Sequence, residues 1–150
     1  MAVSTTQSIW RSGGGDTTRT AVCGSGVMAA QFYIADASAA TATNVTVSST
    51  NSSALVLPAG AVITEVIIND AGAGTVDLGT TGVNSGTASG AAIANGISVA
   101  STGIVTSGLT FAATTELSYL TVTIDTSGAG TVGGYLRYFV VDPYAGLQNV

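Results

Sequence analysis

The chain has 150 residues, and Ala, Thr, Gly, Val and Ser supply 99 of them. Lys and His are absent; Arg11, Arg19 and Arg137 stand against eight acids, for a formal net charge of −5. Three cations give no electrostatic footprint for phosphate backbones, and the missing His and second Cys remove the usual general bases and zinc ligands, so neither nucleic-acid binding nor zinc chemistry is expected.

Disorder does not follow from this low complexity. Hydrophobic residues reach 46% and charged residues only 7%, the reverse of a disordered chain. No run of about 18 apolar residues is free of Ser, Thr or Gly, so no membrane span is predicted. The opening heptapeptide Met1 to Gln7 lacks the basic start and apolar run of a secretory signal, so either export by that route is not expected or the chain is an already mature form. Cys23 has no second thiol for a disulfide and no His to activate it, so it reads as a passive apolar residue.

Residues 1–26 differ from the remainder. They hold the one Trp, two of the three Arg and the triplet Gly13-Gly14-Gly15, which reads as an extended N-terminal arm. Trp10, with Arg11 and Arg19, is the candidate docking element, because Trp and Arg are enriched at interface hot spots. The plain alternative is a poorly ordered terminus.

From Val27 to the end a single all-β domain is predicted. The strand candidates are 27–34, 44–48, 54–57, 61–68, 75–78, 103–105, 109–112, 117–124 and 131–141. The clearest is Ser118 to Asp125, where Leu120, Val122 and Ile124 alternate with Tyr119, Thr121 and Thr123, the period of a half-buried strand. Helix signals are nearly absent, with one weak turn at 88–95. Nine short strands separated by Gly, Ser and Asn turns imply a β-sandwich of jelly-roll type.

Two stretches echo each other at an offset of 56 residues. Gly72-Ala73-Gly74-Thr75-Val76 recurs as Gly128 to Val132, each behind an apolar strand. Strand, Gly-rich turn, strand reads as a β-hairpin in both copies. Between them, 79–103 is almost pure Gly, Ala, Ser, Thr and Asn and reads as a long, weakly structured insertion, either an exposed loop or a second interface. The segment Tyr135 to Tyr144, whose strand ends at Pro143, is apolar on both faces, which fits a strand central in the sandwich or buried between subunits; the central strand is preferred, with Arg137 and Tyr138 as further interface candidates. Pairing of Arg137 with Asp142 or Glu116 is the plain alternative.

Carboxylates are the chemistry still open. Asp70 and Asp77 flank the first Gly turn, where a hairpin could bring them together for glycosidase-like or lectin-like work. No aromatic cluster lies near that turn, and no spaced Asp series suggests calcium. The acids read better as solvated groups that keep a neutral surface soluble. Asn44-Val45-Thr46 and Asn51-Ser52-Ser53 fit the glycosylation sequon in a chain where Ser and Thr are everywhere. A surface poor in Lys and Glu loses little side-chain entropy on burial, which suits assembly into an oligomer.

The run Leu55-Val56-Leu57-Pro58-Ala59-Gly60-Ala61-Val62-Ile63, followed by Gly74-Thr75-Val76-Asp77-Leu78-Gly79-Thr80, resembles small virion proteins of tailed bacteriophages. In that family an aliphatic-Pro-Ala-Gly turn leads one strand, and a second ends in Asp-Leu-Gly or Asp-Val-Gly. The likeness covers about residues 55 to 80. It implies a jelly-roll sandwich without cofactor, often homotrimeric, assembled in the host cytoplasm onto the virion. Within the family, the arm and the lack of a long helix favour a capsid decoration (cement) protein that bridges copies of the major capsid protein. A tail, head-tail or host-binding component is the alternative.

Overall fold

The computed structural model describes residues 27–35, 42–126 and 130–141. They form nine strands: β1 (Met28–Ile34), β2 (Thr43–Asn44), β3 (Val56–Leu57), β4 (Ala61–Asp70), β5 (Thr75–Gly82), β6 (Ala88–Ser98), β7 (Gly103–Val105), β8 (Ser118–Thr126) and β9 (Val132–Val140). No helix occurs among the described residues. The arm at 1–26, including Trp10, Arg11, Arg19 and Cys23, lies outside the described residues, as does the tail beyond Val141.

The strands build two antiparallel sheets. The first runs β1-β9-β4-β7 and the second β2-β8-β5-β6, with β3 also paired to β8. With the two-residue β3 set aside, eight strands pass between the sheets in the order of a jelly roll, the form in which two Greek keys share one core. Phe32, Ile63, Val66, Ile68 and Leu136 of the first sheet meet Val76, Leu78, Ile97, Leu120 and Val122 of the second in one buried cluster. The alternation in β8 places Leu120 and Val122 in that core and Tyr119 and Thr123 on the other face. β9 lies between β1 and β4, the central position its two apolar faces predict.

Three expectations are corrected. The Gly turns do not close hairpins: β4 and β5 belong to different sheets, and so do β8 and β9. The first turn, 71–74, therefore arches across the sandwich, and the strands flanking the two turns lie beside each other, since β4 pairs with β9 and β5 with β8. Gly74 and Gly130, equivalent in the repeat, both have φ of +67°, a left-handed step that lets the chain enter its next strand. A hairpin does join β5 to β6, with Gly82 N–H donating to the Thr87 carbonyl.

The second correction is β6 itself. The supposed insertion at 79–103 supplies the end of β5 and an 11-residue strand, the longest described, in place of a loop or helical turn. Ile93, Ala94 and Ile97 carry it into the core. Its pairing with β5 shifts register twice, between Val76 and Leu78 and between Leu78 and Thr80, and Gly96 has φ of +64°. Those irregularities break the period of two, so its sequence shows no alternation. Third, 109–112 is no strand. Leu109 makes one bridge to Ala94 within a connecting segment.

Candidate assembly surface

The outer face of the first sheet follows from the register of its strands. Leu136 is fully buried, so its pleat neighbours Tyr135 and Arg137 point outward. Gln31, Tyr135, Ile67 and Ile104 lie directly opposite one another across β1, β9, β4 and β7. The parallel row Phe139, Val62 and Ala113 closes the other end, with Ala113 bridging to β4. Ile104 is 65% exposed, and Tyr135 is also exposed. A row apolar but for Gln31, and a second row in which Val62 is itself buried, thus flank a polar one.

The polar row holds Arg137, whose Nη1 lies 2.6 Å from Glu65 Oε1. Arg137 is therefore paired with Glu65, not with Glu116, and Asp142 lies outside the described residues. At 46% exposure of the Arg side chain the pair is worth about 0.2–1 kcal/mol. Thr64 Oγ1 donates to the Arg137 carbonyl at 3.1 Å, at the bulge where the β4–β9 register shifts. Tyr138 takes the other side of β9 and packs, partly buried, against the core.

The second sheet presents different chemistry. Its outer face carries Tyr119, Thr123 and Asp125 from β8 and Asp77 from β5, while Thr121 on the same side of β8 is buried. Asp77 Oδ1 accepts from Gly96 N–H at 2.7 Å, which pins the β6 irregularity. Thr75 Oγ1 donates to Asp125 Oδ2 at 2.8 Å. Asp70, by contrast, ends β4 in the first sheet and is exposed. The arch keeps Asp70 and Asp77 in separate sheets, which removes the hairpin geometry on which a carboxylate pair depended. No group of three or more potential metal ligands occurs among the described residues. Glu116 is used locally, accepting from Ser85 Oγ at 2.5 Å. Asn51, in one of the sequons, accepts from Ser53 N–H through its Oδ1 at 3.0 Å.

The segment after β7 is tied to both sheets. Thr110 N–H donates to the Ile93 carbonyl, and Thr110 Oγ1 donates to the Ala92 carbonyl at 2.7 Å. Thr114 then joins the Pro58-Ala59-Gly60 turn: its Oγ1 donates to the Pro58 carbonyl at 2.6 Å and accepts from Ala61 N–H at 2.9 Å. Gly60 has φ of +80°, and a Cβ there would collide with the Val141 carbonyl, so the turn requires glycine. Between the anchors sits Phe111, 55% exposed and the one described non-glycine residue with positive φ (54°). A left-handed conformation at a bulky residue costs about 1–2 kcal/mol. The hydrogen bonds on either side hold it there.

Sequence reasoning singled out Arg137 and Tyr138 but missed Ile104, Phe111 and Thr114. Thr114 is one of 23 threonines, and nothing local marks it. Ile104 sits in a three-residue strand too short to show which face it occupies.

No protein-family model matches the chain, and no curated protein matches it. Among solved structures, a chain of the cyanophage Pam1 capsid asymmetric unit is similar, with 18% identity and a TM-score of 0.49 over 79% of this chain and 87% of that one.

Proposed function

We propose that this chain is a structural component of a phage virion, a capsid decoration protein that strengthens the head by bridging copies of the major capsid protein. The observation that carries the reading is the outer face of the first sheet. Tyr135, Ile67, Ile104 and Phe139 border a paired Arg137 on a rigid sheet, the aromatic, aliphatic and Arg chemistry of assembled contacts. The Leu-Pro-Ala-Gly turn and the Asp-Leu-Gly run, which carry the resemblance to virion proteins, lead β4 and occupy β5, central strands of the two sheets. The arm, with Trp10, Arg11 and Arg19, is the second contact, reaching a neighbouring subunit while the sandwich stays folded. The working form is an oligomer, a homotrimer in this reading, on the outer surface of the head, with no cofactor and no catalysis.

The test is stoichiometry. Quantitative mass spectrometry of purified particles, normalised to the major capsid protein, is expected to find hundreds of copies. A handful of copies per particle would overturn decoration in favour of a tail or head-tail component.

A further inference from the structure

β1 forms one edge of the first sheet, and among the described residues its outer side is bonded only at Tyr33. Tyr33 N–H donates to the Thr46 carbonyl at 2.8 Å, and the Tyr33 carbonyl accepts from Thr46 N–H at 2.9 Å. Both polar groups of Tyr33 therefore point away from β9. Alternate residues of an antiparallel strand point the same way, so Gln31, Ala29 and Val27 offer their N–H and C=O groups on that side. Among the described residues nothing bonds them there. Sheet edges in folded proteins are commonly protected by Lys, Pro, charges or bulges. Met28-Ala29-Ala30-Gln31-Phe32-Tyr33-Ile34 has none of the first three and pairs with β9 without a register shift, while Val27 and Met28 are exposed hydrophobics.

We infer that this edge pairs with the same edge of a second copy, antiparallel about a two-fold axis through Ala29, joining two four-stranded sheets into one of eight. The register follows from the geometry. Thr46 occupies the edge at Tyr33, so the free stretch is 27–31, and centring on Ala29 uses all of it. Val27 then opposes Gln31 of the second copy, Ala29 opposes Ala29, and Met28 covers Ala30. Residues before Val27 would meet Phe32 and Tyr33, where Thr46 already sits, which confines the pairing to five residues. The strand is uncharged, so self-pairing brings no like charges together, whereas a charged partner strand would find no counter-charge. A two-fold contact makes dimers, not trimers. If trimers form on another surface, each still carries three such edges, and the pairing links neighbouring trimers.

Cysteine cross-linking on full-length chain carrying C23S, with folding checked by circular dichroism, tests this. Directly opposed residues lie about 5.5 Å apart between Cα atoms, within disulfide range. A29C is expected to form a covalent dimer under mild oxidation at least about ten-fold faster than Q31C, whose self-partner is displaced by four residues, about 13 Å along the strand. Mixing V27C with Q31C is expected to give the heterodimer, which neither forms alone. A29K, which opposes two ammonium groups, is expected to lower the dimer fraction in sedimentation velocity. Equal cross-linking of A29C and Q31C, no A29C dimer, or a preference of Q31C for itself would each overturn the inference. None of these readouts needs a capsid, so failure here leaves the decoration role standing, and a low copy number in virions leaves the edge pairing standing.

Discussion

Replacing Thr114 by Val removes one hydroxyl and almost nothing else. The side chain keeps its shape, so no cavity opens, and the backbone bonds from Thr114 N–H to Ala61 and from Gly60 N–H to Thr114 remain. Two bonds are lost at a buried site, one to the Pro58 carbonyl and one from Ala61 N–H. Each contributes about 0.5–1.5 kcal/mol net, and an abandoned buried group costs more. Ala61 N–H retains a long bond of 3.3 Å to Pro58, which offsets part of the loss. The expected destabilisation is about 2 kcal/mol, or about 4–8 °C in Tm for a domain of this size. Urea and thermal unfolding followed by circular dichroism measure it, with the urea slope unchanged because the buried surface is unchanged. Thr114→Ser restores the hydroxyl and is expected to recover most of the stability. A T114V protein within about 0.5 kcal/mol of the parent, or a T114S protein equally weak, would show that the hydroxyl does not tie the connecting segment to the turn.

Gly134→Ala places a Cβ against the Ile67 backbone carbonyl and 3.1 Å from the Phe32 ring, so β4 and β9 must spread; a loss of about 1–3 kcal/mol or more is expected in the same unfolding assay, and unchanged stability would contradict the close approach. Leu120→Ala, at a fully buried core position, is expected to cost about 2–5 kcal/mol by urea titration. Arg137→Ala breaks an exposed pair and is expected to change stability by less than about 1 kcal/mol while lowering occupancy on particles in a pelleting assay; full occupancy would remove Arg137 from the interface. Deleting residues 1–20 is expected to abolish docking on particles with the sandwich still folded, and unchanged occupancy would refute the role of the arm.

How much of the molecule is legible in its sequence depends on whether the signal is local. The period of two in 118–125 reflects one strand with one wet face, and it survives folding unchanged. The absence of helix periodicity, the apolar density of 135–140 and the glycine at position 60 are likewise properties of short stretches, and the fold keeps all of them. Together they specify an all-β sandwich. The surface is less legible. Arg137 stands out as the one cation outside the arm, yet its partner Glu65 is 72 residues away and comes opposite only through the β4–β9 register.

The sequence by itself determined that this protein is an all-β sandwich, and it set the expectation of a small-residue surface suited to contacts. Tertiary structure alone decided which strands are neighbours. A Gly-rich turn such as 71–74 allows a hairpin or an arch equally well, and the choice rests on where Val66 and Val76 can both be buried, in opposite walls of one core. β6 shows the same limit. Its Ala and Gly residues have weak strand preference, and it is a strand because β5 on one side and the 108–110 segment on the other satisfy its backbone. The edge of β1 is the converse: its seven residues look ordinary in the sequence, and only the place of Thr46 shows that the described partners of its outer side stop at Tyr33.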